Sequence, residues 1–224
     1  MRVGVVIPAF QAAATIGDVV TRIRSAVTGG AAEIIIVDDG SRDGTGEQGR
    51  GTGATLVIHP RNRGKGFALR TGIAKACALG AAVIVTIDAD GQHPPEEIPR
   101  LLQPIAEGRA DLVLGARQRN HAMPLSRRFT NWLSASLASR IGGQQVRDAQ
   151  TGFRAFTREV AERVQPAGDR YEFEANFLLD ALRAGYRVDS VDVPTIYGAL
   201  ARSHFRTWSD SWRMARAFAR RIGA

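Results

Sequence analysis

Apolar runs that end abruptly in polar residues recur through the first half of the chain. The segments "RVGVVIP" (2–8), "EIIIVDD" (33–39), "ATLVIHP" (54–60), "AAVIVTID" (81–88) and "DLVLGAR" (111–117) are short and rich in β-branched residues, which predicts strands. Between them, apolar positions at helical spacing predict helices over 13–27, 43–50, 64–79 and 95–107. Strands that are apolar throughout, rather than alternating, need cover on both faces. The expected fold class is therefore α/β: a mostly parallel central sheet flanked by helices.

The second half is less regular. A helix over 125–141 carries Phe129, Trp132, Leu133, Leu137 and Ile141 near helical spacing. "FRAFTR" (153–158) reads as a strand turning into a helix, followed by a helix over 172–184 and a strand over 187–194. A last helix over 207–222 places Trp208, Trp212, Ala215, Ala219 and Ile222 on one face and Arg213, Arg216 and Arg220 on another. No repeat and no Pro-, Gly- or Ser-rich linker divides the chain, so one domain over 1–224 is expected.

Composition changes this picture in two places. At 44% hydrophobic, the 224 residues can bury a full core, and the single cysteine, Cys77, excludes a disulfide framework. The net charge of +8 is uneven. Residues 1–112 carry 12 Lys+Arg against 12 Asp+Glu, whereas residues 113–224 carry 18 against 10. The second half is thus suited to anions: a phosphate, a nucleic acid or an anionic membrane surface. The longest apolar stretch, "ACALGAAVIVTI", falls far short of the roughly 20 residues of a spanning helix. "MRVGVVIPAF" reads as a strand and not as a signal peptide. The expected location is cytoplasmic, peripheral at the inner face of the membrane.

In a doubly wound sheet, ligands bind beyond the carboxyl ends of the strands, and here those ends are polar. Pro8 and Phe10 follow the first strand, Asp38 and Asp39 end the second, Asp88 and Asp90 the fourth, and Arg117 the fifth. In extended backbone Asp88, Asp90 and Gln92 share one face. Two adjacent carboxylates repel unless a cation intervenes, and a hard divalent ion favours one or two carboxylates plus phosphate oxygens. A solvated acidic turn capping the next helix is the other account of the same residues. "HPRNRGKGFALRTGI" (59–73) superficially resembles a phosphate loop, but it lacks G-x-x-x-x-G-K-[ST] and reads more simply as a glycine-led helix start. The four histidines, His59, His93, His121 and His204, have no zinc spacing, and no G-x-S-x-G elbow exists.

Six segments in order, "VVIPAFQAAATI" (5–16), "IIVDDGSRDGT" (35–45), "NRGKGFALRTGI" (62–73), "VTIDADGQHPPEEI" (85–98), "DLVLGAR" (111–117) and "DAQTGFRAF" (148–156), closely resemble the family 2 glycosyltransferases of GT-A fold. The nearest subgroup is the dolichyl- or polyprenyl-phosphate sugar synthases. The resemblance implies a nucleotide-sugar-binding half over 1–117 and an acceptor-binding half over 118–224. It implies that Pro8, Ala9 and Phe10 line the nucleotide pocket and that Asp39 contacts base or ribose. Asp88, Asp90 and Gln92 would bind Mg²⁺ or Mn²⁺ and the donor diphosphate. Arg117, Arg127, Arg128, Gln150, Arg154 and Arg202 would meet the acceptor.

The implied reaction is inverting transfer from a GDP- or UDP-sugar to a polyprenyl phosphate, at a membrane surface and with room for a membrane-protein partner. A hydroxyl acceptor is the alternative, with Asp148 or Glu174 as base. Two positions depart from the family pattern: Gln11 stands where asparagine or glutamate is common, and Asn176 where an acid is common. A nucleotidyltransferase is disfavoured because "IPAFQAA" is not its glycine-rich loop. A basic nucleic-acid binder is disfavoured because the second half lacks interleaved aromatics, and a basic membrane-surface binding protein because it leaves the paired aspartates without a role.

Overall fold

The computed structural model describes residues 1–27, 32–117, 125–170, 172–194 and 196. Along the chain run β1 (Val3–Ala9), α1 (Ile16–Ala26), β2 (Ala32–Asp38), α2 (Thr45–Gly51), β3 (Thr55–Ile58), α3 (Lys65–Ala78) and β4 (Val83–Thr86). A 3-10 turn (Pro95–Glu97) then leads into α4 (Ile98–Ala106) and β5 (Leu112–Arg117). The second half contributes α5 (Leu125–Gly142), β6 (Arg154–Thr157), α6 (Arg158–Arg163), α7 (Glu172–Arg183) and β7 (Val188–Val193). The helix expected over 207–222, and Arg202, lie outside the described residues. So do His121 and His204.

One seven-stranded sheet has the order β3-β2-β1-β4-β6-β5-β7. All neighbours are parallel except β6, which runs antiparallel to both β4 and β5. Because β6 is reversed, its entry end lies beside the exit ends of β4 and β5: Arg154 pairs with Thr86 on one side and Leu114 on the other. The loop 148–153 is thereby delivered to the edge where the parallel strands end. Strand order reverses between β1 and β4, so that edge is also the switch point of a doubly wound sheet.

The apolar strand runs are covered on both faces, as their composition requires. On one face Val6, Ile35, Ile84 and Leu112 pack with α3, α5, α6 and α7 residues including Leu69, Ala138, Val160 and Leu178. On the other, Val5, Ile7, Ile36 and Val85 pack with Ile16, Val20 and Ile23 of α1 and Leu101 of α4. Cys77 is half-buried at the edge of the first cluster, where burial raises its thiol pKa. α3 lies unusually close to β1. A Cβ on Gly72 would clash with Val6 Cγ1 and fall 3.1 Å from Val37 Cγ2. Gly72→Ala is accordingly expected to destabilise the protein by about 1–3 kcal/mol through overpacking, read as a lower midpoint in urea with unchanged slope.

Candidate active site

β4 is shorter than its apolar run suggested. Its last paired residue is Thr86, and Ile87 makes the final sheet-like bond, from its N–H to Val6 O (3.1 Å). Asp88 therefore lies past the end of the strand and Asp90 in the turn that follows, so strand parity no longer sets how the two carboxylates point relative to one another. The turn is closed by Asp90 itself, whose Oδ1 accepts the Gln92 N–H at 3.0 Å. Such aspartate turns compete locally with continued strand.

Three side chains meet beyond this turn. Lys65, at the start of α3, places Nζ 2.6 Å from Asp88 Oδ1 and 3.1 Å from Glu174 Oε1 on α7. Gly152 backs onto all three: a Cβ there would sit 2.7 Å from Asp88 Oδ2, 2.8 Å from Lys65 Nζ and 3.0 Å from Glu174 Oε1. Burial works against the Lys65 charge, but Asp88 and Glu174 reverse the effect and hold its pKa above the ordinary lysine value. Burial likewise opposes the Asp88 charge, and Lys65 carries that carboxyl below its usual range. Asp90 has no salt bridge among the described residues. Burial, with Asp88 adding repulsion, pushes its carboxyl up to about 6. Glu174 is also raised, by burial first and then by Asp88, with Lys65 opposing.

A second paired set stands at the end of β5. The Arg117 guanidinium donates from Nε to Asp148 Oδ2 (2.8 Å) and from Nη2 to Oδ1 (3.2 Å). The Gln150 N–H also bonds Asp148 Oδ1 at 3.0 Å. Asp148 is 1% exposed, and these donors overcome the effect of burial and lower its pKa. Gln150 Nε2 reaches Ser134 Oγ on α5 (3.3 Å).

Arg154 does not sit where an acceptor phosphate could use it. It is 2% exposed and donates to the carbonyls of Thr151 (2.8 Å), Glu174 (2.6 Å) and Ala149 (3.1 Å), tying loop 148–153 to α7. Thr86 Oγ1 fixes the same loop through Gly152 O at 2.8 Å. Arg127 and Arg128 fall in the first turn of α5, with side chains outside what the structure describes.

On the other side of the turn, Ala9 is buried and Phe10 exposed at the end of β1. Pro8 lies past the last β1–β4 pair, so its missing N–H interrupts no bond there. Asp39 is buried just past the end of β2. Its carboxylate bonds His59 Nδ1 (2.7 Å) and accepts the N–H groups of Arg63 (3.0 Å to each oxygen) and Gly64 (2.7 Å). Through these bonds Asp39 holds the 59–64 loop in place beside the end of β2.

The geometry thus gathers Asp88, Asp90, Gln92, Glu174, Arg117 and Asp148 at one sheet edge. Over residues 4–165 the chain matches the family model described as Glycosyl transferase family 2. The chain belongs to that family. This family 2 glycosyltransferase is 32% identical to the UDP-N-acetylglucosamine--dolichyl-phosphate N-acetylglucosaminyltransferase of Methanococcus voltae, over 86% of this chain and 84% of that one. It is 29% identical to the undecaprenyl-phosphate mannosyltransferase of Micrococcus luteus, over 91% and 87%. Among solved structures it resembles glucosyl-3-phosphoglycerate synthase from Mycobacterium tuberculosis in complex with Mn²⁺, UDP and glucosyl-3-phosphoglycerate. That likeness has a TM-score of 0.79 and 26% identity, and covers 99% of this chain and 80% of that one. The fold is GT-A.

The donor set of the glycosyltransferase fits a divalent cation. Asp88, Asp90, Asp148 and Glu174 meet three cationic side chains, Lys65, Arg117 and Arg154, and the deficit falls at Asp90. Among the described residues no group of three or more His, Cys, Asp or Glu side chains could hold an ion alone. A hard cation that takes two carboxylates and completes its shell with phosphate oxygens suits this arrangement.

Two polar residues of the site carried no assigned role in the sequence. Lys65 sits in a "GKG" segment that also reads as a plain helix start. His93 is buried against Phe153 (5.4 Å between ring centroids), and burial pushes it down to about 4. Neither has a spacing that would reveal it, because their partners lie on other elements.

Proposed function

We propose that this enzyme transfers a sugar from a nucleoside-diphosphate sugar to a polyprenyl phosphate, inverting the anomeric carbon, with Mg²⁺ or Mn²⁺. The observation that carries the choice of acceptor is that both candidate bases are already paired. Asp148 is the counter-ion of Arg117, and Glu174 that of Lys65. A hydroxyl acceptor needs a carboxylate to take its proton, whereas a phosphate is an anion near neutral pH and needs none. The Methanococcus and Micrococcus relatives named above support the same acceptor class.

Asp88, Asp90 and Gln92 would hold the cation, which supplies charge neutralisation to the departing diphosphate. Arg117, oriented by Asp148, faces the incoming phosphate; planar guanidinium groups suit such anions. An acceptor phosphate oxygen bonds to the anomeric carbon as the bond to the donor diphosphate breaks. The electron pair of that bond leaves with the nucleoside diphosphate, and no proton is removed. Lys65 keeps Asp88 in place while this occurs.

Among the described residues no helix is long and apolar enough to cross a membrane. The exposed Trp132 and Leu133 of α5 offer apolar surface suited to a lipid interface, and the +8 of the second half suits an anionic one. Peripheral attachment is part of this reading.

The test is a panel of acceptors. Purified enzyme with UDP- and GDP-sugars and Mn²⁺ should glycosylate a short polyprenyl phosphate and leave the matching polyprenol untouched. Equal transfer to the polyprenol would refute the unassisted-acceptor argument. Transfer to phosphoglyceric acid alone would move the acceptor to the class in the Mycobacterium structure.

A further inference from the structure

α1 begins with a threonine that does not cap it. Thr15 occupies the N-cap position, where a hydroxyl usually accepts an N–H of its own first turn, yet it makes no such bond. Its Oγ1 lies 2.6 Å from Ala89 O, 74 residues away in sequence. The hydroxyl is 3.3 Å from Ala12 O, so its single proton is directed to Ala89 by the shorter distance. Ala89 is buried and separates Asp88 from Asp90. Two helical turns on, and so on the same face of α1, Arg22 holds the far end of the segment. Its Nε and Nη2 bond Glu96 Oε1 and Oε2, both at 2.8 Å.

We propose that Thr15 is a positioning residue: through Ala89 O it fixes the peptide between the two carboxylates, and with Arg22 it makes α1 the frame on which the cation site is set. The inference rests on the reading of Asp88 and Asp90 as cation ligands. The chain has left the sheet at this point and, among the described residues, the Asp90 side chain bonds only within its own turn, so the Thr15 hydroxyl supplies a cross-element restraint on the Ala89 peptide beside the one Lys65 places on Asp88. Without it, Lys65 would still hold Asp88, but the peptide that leads on to Asp90 would lose its tie to α1. A cation that takes both carboxylates is sensitive to that orientation, because site rigidity tunes affinity for hard ions.

The experiment titrates Mn²⁺ into the full chain, with no sugar donor, in the presence of UDP or GDP, and follows the loss of the free-Mn²⁺ paramagnetic signal. Thr15→Val, which keeps the side-chain shape and removes the hydroxyl, is expected to raise the half-saturating Mn²⁺ concentration about tenfold. Thr15→Ser, which keeps the hydroxyl, should stay within about twofold of the unmodified protein. Equal affinity in Thr15→Val and the unmodified protein overturns the inference, as does an equal loss in Thr15→Val and Thr15→Ser. If Thr15→Val does not fold, Arg22→Gln on the surface takes its place, with a loss of about threefold expected and no change overturning the claim. No Mn²⁺ binding by the unmodified protein would instead overturn the cation reading itself, and this inference with it.

Discussion

Asp90→Ala is expected to lower kcat/KM by about 10²–10³-fold, roughly 3–4 kcal/mol of transition-state stabilisation, in line with the several kcal/mol attributed to a bound cation. Asp90 is the carboxylate of the site without a salt bridge among the described residues, so it is the natural seat of the missing positive charge. The same substitution should raise stability in the presence of a chelator. The folded pKa of Asp90, about 6, lies above its unfolded value because burial and Asp88 disfavour the charge. A group raised in this way contributes stability that is present below the unfolded pKa and lost as pH rises through the folded one. Removing it should therefore increase the unfolding midpoint at pH 7 and change little below pH 4. Steady-state kinetics and thermal melts at those two pH values check both halves. A variant that keeps full activity would refute the cation role.

Lys65→Met is expected to destabilise the protein by about 2–4 kcal/mol, below the top of the range for breaking a buried ion pair because Lys65 and Asp88 keep partial contact with solvent. Methionine fills similar space, so the loss is electrostatic: Glu174 would remain buried, and Asp88 half-buried, without their cation. The pH dependence has a definite sign. The Lys65 pKa is raised, so its own contribution is constant up to the ordinary lysine value and is lost as pH rises beyond it, well into the alkaline range. In the variant both carboxyls would titrate upward, and their protonation would relieve the strain in acid. The stability difference should thus be largest near pH 8 and shrink towards pH 5. Urea melts across that range would show it, and a constant difference would contradict the ion-pair account.

The alternation of apolar runs and helical spacing was enough to place the sheet and its helices, because strands buried on both faces leave an unambiguous signature in composition. The carboxyl-end rule points to Asp88, Asp90 and Arg117 from their place at strand ends alone. What the sequence did not carry was pairing across elements. Lys65, Glu174 and Gly152 lie on α3, α7 and the loop before β6, and nothing in their local spacing links them. Asp39 and Arg154 show the converse. Both belong to segments that bear the site, yet the fold turns their polar atoms onto its own backbone. Thr15 stands at the start of α1, yet its hydroxyl holds a distant carbonyl. Residue type and strand-end position were legible, but the partner each side chain chose required the packed structure.

The reversed strand β6 also sets the order in which this enzyme can be completed. β4 emerges from the ribosome with one neighbour, β1, and its other edge must wait for residues some seventy positions later. Until β6 arrives, β4 presents an open, apolar strand edge of the kind that recruits stray strands. Glu174 arrives later still, so Lys65 and Asp88 pass through synthesis without their third partner. The nascent amino-terminal half thus carries an uncovered strand edge and an unfinished site until the second half is translated, an interval in which such edges are prone to wrong pairing.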